Sequence, residues 1–280
     1  MKIFKDSLDL IGNTPMLLVK NLNTGPCNLY LKLESFNLGG SIKDRPAKNM
    51  IINAEKKGHL TKGGTIVEAT AGNTGIALAI IAIKRGYKVI IVVPDKMTIE
   101  KVYHLKALGA EVIVARSDVI NGHPEYYLEI AKKIAKEKNA FYINQFSNKA
   151  NVNSHVRDLG PEIYRQLNGK IDAFVAGVGT GGTISGIGKF LKSKNRKCEL
   201  ILADPKGSIL KDLIKTGKIN DNVGSWIVEG IGEDFCPPLL NTNLINHAYS
   251  ISDYEAINSC NSLLQNEGIL AGSSSGTLLA

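Results

Sequence analysis

No stretch of this 280-residue chain is long and apolar enough to span a bilayer. Its start, Met1-Lys2-Ile3-Phe4-Lys5-Asp6, lacks the charged segment, apolar centre and small-residue cleavage site of an export signal, so no leader is predicted. The four cysteines, Cys27, Cys198, Cys236 and Cys260, are too scattered for metal ligation or a disulfide framework. That pattern fits reduced thiols in a cytoplasm, with no metal site and no thiol nucleophile. Low-complexity linkers and internal repeats are missing too. The net charge is +8, yet the basic clusters Lys56-Lys57, Lys132-Lys133 and 192–197 carry no interleaved aromatics, which argues against a nucleic-acid surface. They read as solvated faces whose field steers anionic metabolites at most.

What is present is a globular composition, 44% hydrophobic, with room for about two domains. Apolar runs of strand length at 89–93, 111–114 and 141–143 alternate with helical stretches at 99–108 and 125–136. Uninterrupted apolar strands separated by helices predict an α/β fold with parallel sheets covered on both faces. Thr98 is placed to cap a helix start, and Gly86 and Gly109 to end helices.

Four junctions carry chemistry. In Leu38-Gly39-Gly40-Ser41-Ile42-Lys43-Asp44-Arg45 a glycine turn runs into a helix. A helix N-terminus disfavours an ammonium but tolerates a neutral amine or an imine, so Lys43 suits a nucleophilic role. The bland alternative is a solvated lysine beside a Ser41-x-x-Asp44 capping box. In Glu68-Ala69-Thr70-Ala71-Gly72-Asn73-Thr74-Gly75, strand passes to helix through small residues. Thr70, Asn73 and Thr74 add donors beyond what one cap needs, which makes a carboxylate-sized anion site.

In Gly177-Val178-Gly179-Thr180-Gly181-Gly182-Thr183, four glycines and two threonines at a helix start form a phosphate cradle. The same glycines fit a dinucleotide fingerprint, and Asp204 at the end of the next strand lies near the spacing of a ribose-binding acid. A nicotinamide oxidoreductase therefore stands as an alternative. Finally, Gly272-Ser273-Ser274-Ser275-Gly276 reads as a serine-rich turn after the amphipathic stretch 255–267, with the chain stopping in the first turn of a following helix. A reactive lysine, a carboxylate loop, a monophosphate cradle and a neutral hydroxyl for a ring nitrogen meet the needs of pyridoxal phosphate chemistry on an amino acid.

The segments Ser41-Ile42-Lys43-Asp44-Arg45, Thr70-Ala71-Gly72-Asn73-Thr74-Gly75, Gln145-Phe146-Ser147-Asn148, 177–183, Glu229-Gly230-Ile231-Gly232 and Gly272-Ser273-Ser274-Ser275-Gly276 occur in one order along the chain. In that order they resemble the cysteine synthase and cystathionine β-synthase family of pyridoxal phosphate enzymes, which have the tryptophan-synthase-β fold type. The likeness runs from about Leu10 to the C-terminus. Gly39-Gly40, the stretch 204–210 and the stretch 228–235 resemble the cystathionine β-synthase branch more closely.

The resemblance implies two three-layer α/β domains with the cofactor in the cleft between them. The smaller, mobile one spans 39–146; the larger, formed by 1–38 and 147–280, binds the cofactor phosphate and lacks a C-terminal helix. It implies that Lys43 anchors pyridoxal 5′-phosphate and then acts as base. Thr70, Ala71, Asn73, Thr74 and Gln145 would bind the substrate carboxylate, with Asn73 also on the cofactor. Gly177, Gly179, Thr180, Gly181, Gly182 and Thr183 would hold the phosphate, and Ser274 would face the pyridine nitrogen.

The implied reaction is β-replacement on cysteine, serine or O-acetylserine by a thiol or sulfide through an aminoacrylate. Cystathionine, lanthionine or cysteine would result, and a cysteine donor would release hydrogen sulfide. Ala71, where many cysteine synthases carry serine, puts O-acetylserine in doubt as the donor. Glu233 is a candidate for handling the leaving group or the incoming nucleophile, against the alternative of an exposed loop acid. The family further implies a cytoplasmic homodimer acting on small amino-acid and thiol substrates. A non-catalytic relative remains a third reading.

Overall fold

The computed structural model describes residues 3–70, 72–119, 122–219 and 223–280. In chain order the elements are β1 (Met16–Leu18), β2 (Tyr30–Lys32), α1 (Asp44–Lys56), β3 (Thr65–Ala69), α2 (Asn73–Arg85), β4 (Lys88–Pro94), α3 (Ile99–Ala107), β5 (Glu111–Ala115), α4 (Tyr127–Glu137), β6 (Phe141–Tyr142) and α5 (Lys149–Ser154). A π-helical turn, His155–Leu159, then leads into α6 (Gly160–Gln166), β7 (Ala173–Ala176), α7 (Gly182–Lys194), β8 (Glu199–Pro205), α8 (Leu210–Thr216), β9 (His247–Ile251), α9 (Asp253–Glu267) and α10 (Ser273–Leu279). The chain forms two compact units, one of Met1–Thr14 with Glu34–Asn151, the other of Pro15–Leu33 with Val152–Ala280.

The first unit is built on a parallel sheet in the order β5-β4-β3-β6. Side chains alternate across a strand, and here both sets are apolar. Ile66, Val89, Ile91 and Val93 pack on one face with Met50, Ile51, Leu78, Ile81 and Leu105 of α1, α2 and α3. Val67, Ala69, Ile90 and Val92 pack on the other with Ala131 and Ala135 of α4. Helices on both faces explain why six of the seven residues of β4 are buried without a polar face. Gly86 closes α2 in the left-handed region, φ 73°, and Gly109 does the same after α3. Thr98 stands at the N-cap of α3, but its hydroxyl makes no capping bond.

The second unit holds the parallel sheet β7-β8-β9, with Ala176, Leu202 and Ala248 packed against Ile184 of α7 and Leu210 of α8. The antiparallel pair β1-β2 belongs to it as well. Glu267, at the end of α9, accepts from the Lys20 and Asn21 N–H groups at 2.9 and 2.6 Å, and Lys32 pairs with buried Glu162. Helix α9 begins with a complete Ser252/Glu255 capping box.

The division expected from sequence, 39–146 against 1–38 with 147–280, differs from these units in where residues 1–14, 34–38 and 147–151 go. A buried network explains the first two. Arg45 donates twice to Glu34, from Nε at 2.7 Å and Nη2 at 2.9 Å, while Thr14 and Asn37 also donate to that carboxylate and Gly12 N–H donates to Asn37. Segments 12–14 and 34–37 are thereby tied to α1. A second difference concerns the serines: Ser273, Ser274 and Ser275 are the first turn of α10 itself, with Gly272 at the N-cap, rather than a loop ahead of a helix. Among the described residues no helix is long and apolar enough to cross a membrane, and no group of His, Cys, Asp and Glu could hold a metal ion.

Candidate active site

Lys43 occupies the N-cap position of α1, half-buried, directly before Asp44. The Ser41-x-x-Asp44 capping box of the bland alternative does not form. Ser41 Oγ instead accepts from Lys43 N–H at 3.2 Å, and the Asp44 carboxylate turns back to accept from Gly39 N–H. A Cβ on Gly39 would lie 2.7 Å from that carboxylate, so only glycine fits. Asp44 is buried, which pushes its carboxyl up to about 6 against the pull of the Gly39 N–H, with Glu34 adding to the rise and Arg45 opposing it. The bidentate Arg45–Glu34 pair holds this turn from beneath.

At the carboxyl end of β3 the chain enters α2. The Thr70 hydroxyl accepts from Gly72 N–H at 3.2 Å and so keeps its hydrogen for another acceptor. Asn73, first residue of α2, is exposed. Thr74 is buried and donates to Gln145 Oε1 at 2.7 Å, while Gln145 Nε2 donates to Ala69 O at 3.2 Å. Thr70, Thr74 and Gln145 are thus brought together, but the Thr74 hydroxyl is spent on Gln145 and holds it in place. The remaining donors for an anion are the Thr70 hydroxyl, the second Gln145 amide hydrogen, the Asn73 amide and N–H groups at the start of α2. Ala71 lies outside the described residues.

Gln145 reaches this spot because β6 runs beside β3, pairing Ile66 with Phe141 and Val67 with Tyr142. Asn144, at φ 52°, then turns the chain, and Asn151 Nδ2 fastens Gln145 O at 3.0 Å. Beneath them sits Glu68, fully buried, accepting from Gln145 N–H at 3.5 Å. Burial pushes its carboxyl up to about 8, against the pull of the N–H groups of Gln145, Asn144 and Ala69. Sequence reasoning gave Glu68 no role, although an acid between the apolar residues of a doubly covered strand was a visible signal.

Because the folded carboxyl titrates above its unfolded value, native Glu68 keeps its proton where the unfolded chain has lost it. Stability from this group is full below about pH 4.5 and is lost as pH rises to about 8. Glu68→Gln removes that slope. The variant's stability relative to wild type is expected to gain about 2 kcal/mol or more between those pH values and then level off, read from thermal unfolding at a series of pH values. A constant difference across the window would rule out a protonated Glu68. Asp44 and Asp204 titrate alike in both proteins and cancel.

The second unit supplies the cradle at the carboxyl end of β7. A Cβ on Gly177 would lie 2.7 Å from Ile231, one on Gly179 2.7 Å from Gly230 O, and one on Gly181 2.8 Å from the Leu240 backbone. Gly181 is also left-handed at φ 80°. Thr180 Oγ1 accepts from Gly182 N–H at 3.3 Å, and Thr183 opens α7 beside it. The turn 230–232 is laced to the cradle by Gly232 N–H donating to Val178 O at 2.8 Å.

Glu233 follows that turn and is half-buried, not an exposed loop acid. Its backbone is clamped by Ser208 Oγ, which accepts from Glu233 N and donates to Glu233 O, both at 3.1 Å. Its Oε1 lies 3.9 Å from where a Gly179 Cβ would be. Ser274, in the first turn of α10, is half-buried, with no hydrogen-bond partner for its hydroxyl among the described residues.

Asp204 is fully buried at the end of β8, and its Oδ2 accepts from Lys211 N–H at 2.8 Å. It is a brace for the start of α8 and cannot reach a ribose, which removes the acid that the nicotinamide reading required. Burial pushes it up to about 6, opposed by the Lys211 N–H.

A family model described as pyridoxal-phosphate dependent enzyme matches residues 8–280. The chain is 44% identical to the cystathionine beta-synthase of Apis mellifera over 99% of its own length and 55% of that protein. It is 38% identical to the O-acetylserine dependent cystathionine beta-synthase of Bacillus subtilis (strain 168), covering all of this chain and 88% of the relative. The crystal structure of a hydrogen sulfide-producing enzyme from Fusobacterium nucleatum superposes with a TM-score of 0.90 at 36% identity, over 98% of this chain and 89% of that one. The chain spans about half the length of the animal cystathionine beta-synthases it matches.

Proposed function

Because the chain belongs to the pyridoxal-phosphate dependent enzyme family, we propose that it replaces the β-substituent of cysteine, serine or O-acetylserine with a thiol or sulfide. The observation that carries this reading is the cradle at 177–183, where a Cβ on Gly177, Gly179 or Gly181 would meet a neighbour within 2.8 Å and the loop runs straight into the N-terminus of α7, whose first N–H groups suit an anion. Such a loop fits the phosphate of pyridoxal 5′-phosphate, and Lys43 fits its aldehyde. When bound, that cofactor supplies an electron sink for the α-carbon of an attached amino acid.

The chain's own residues then divide the work. The Lys43 amine would hold the cofactor and, when free, would serve as the base for the proton on the substrate α-carbon. Thr70, Gln145, Asn73 and the start of α2 orient the carboxylate, with Thr74 and Glu68 fixing Gln145 from behind. A neutral Ser274 hydroxyl at the ring nitrogen would not stabilise a protonated ring, which would favour loss of a β-substituent over transamination. Glu233 moves a proton to the departing group or from the incoming thiol.

Among donors, the relatives divide. The Apis mellifera protein is named a cystathionine beta-synthase, while the Bacillus subtilis one is named as dependent on O-acetylserine. Alanine stands at position 71, where many cysteine synthases carry serine, and with the stretch 228–235 it supports the first reading. Cysteine or serine with homocysteine or cysteine is expected to exceed O-acetylserine with sulfide by about tenfold or more in kcat/KM, the scale of one lost hydrogen bond in a site built for it. Products are assayed for each donor with each of the three acceptors, and hydrogen sulfide should appear when cysteine is the donor. A strong preference for O-acetylserine would move the assignment to the second reading.

A further inference from the structure

The π-helical turn His155–Leu159 lies in the second unit, and its first residue points at the cradle. His155 is 1% exposed, and its Nε2 lies 3.3 Å from Thr183 Oγ1. A hydroxyl has one hydrogen and two lone pairs, and a phosphate dianion only accepts. Were Thr183 to donate to His155, it would turn lone pairs on the phosphate. The contact therefore supports an anion only when Nε2 carries the hydrogen and the threonine accepts it.

We propose that His155 is a positioning residue of the phosphate cradle, donating from Nε2–H to Thr183 Oγ1 so that the threonine hydroxyl hydrogen is left for a phosphate oxygen. This rests on the cofactor reading above. Packing holds the donor in place. A Cβ on Gly186, one turn along α7, would lie 2.6 Å from both His155 Cβ and Val152 O. Helix α7 thus sits directly on the π turn, fixing the point from which the buried imidazole projects. Short π turns inserted between α-helical stretches are often found where a side chain must be re-aimed at a site, and this one separates α5 from α6 at His155.

The test measures affinity for pyridoxal 5′-phosphate and the phosphorus NMR resonance of the bound cofactor. His155→Leu is expected to weaken affinity about three- to tenfold, the scale of one hydrogen bond, and to shift the resonance. His155→Gln, whose amide reaches the Nε2 position, should stay within about twofold of wild type. His155→Asn places its amide at the Nδ1 position, should behave like His155→Leu, and serves in its place should the leucine variant not fold. On a Thr183→Val background none of these substitutions should cost anything more, and pyridoxal, which lacks the phosphate, should bind wild type and variants equally. Equal losses on the Thr183→Val background, equal losses with pyridoxal, or an unmoved resonance would overturn the role of His155. Wild-type affinity and resonance in Thr183→Val would instead overturn the cradle assignment, and the inference with it.

Discussion

Lys43→Ala is expected to lower kcat by about a thousandfold or more while leaving the fold intact, because one amine serves both as covalent anchor and as base. The fold should survive because the turn is held by other groups. Arg45 and Glu34 form the buried pair, and Asp44 holds Gly39, none of which uses the Lys43 amine. Borohydride reduction of wild type should fix the cofactor to the peptide containing Lys43 and to no other lysine. The variant should still take up cofactor through the cradle, without that covalent link. Turnover near wild type in Lys43→Ala, or a reduced cofactor mapped to another lysine, would remove Lys43 from the chemistry.

The second large effect is expected at Glu233. Glu233→Gln should lower kcat by about a hundredfold, the usual cost of losing a proton-transfer group, and lower KM for the donor with it, so that kcat/KM for the donor stays near wild type. The amide keeps the shape, and the Ser208 clamp acts only on backbone atoms, so placement should persist. Rapid-mixing kinetics should then show substrate α-proton exchange at the wild-type rate and slow release of product. An unchanged second half-reaction would return Glu233 to a structural role.

Much of the fold was legible. Apolar runs located β4, β5 and β6 to within one residue, and the clearest of them, β4, is buried on both faces, which leaves an uninterrupted signal. The elements that escaped have no such signal. Strands β1 and β2 are three residues each and only partly buried, and β9, His247–Ile251, buries Ala248 alone. The serine-rich start of α10 reads as a turn because serine favours turns and helix starts alike. At the site, each donor could be named from a helix-start pattern, yet the bond from Thr74 to Gln145 joins residues 71 apart and depends on β6 lying beside β3. No local pattern encodes that. The same holds for His155, whose meaning comes from a helix packed against it more than one element later.

The path of the chain carries a consequence for biosynthesis. Segment Pro15–Leu33 leaves the ribosome early, but its partners in the second unit begin only at Val152. The intervening 118 residues, 34–151, take roughly 6–24 s at translation rates of about 5–20 residues per second. During that interval the Lys20 and Asn21 N–H groups wait for Glu267, and Lys32 waits for Glu162. Residues 34–151 can meanwhile collapse around their own sheet, since Leu8 aside its core lies within that stretch. The nascent protein thus passes through a state in which one unit is built and an early ribbon still hangs unclaimed.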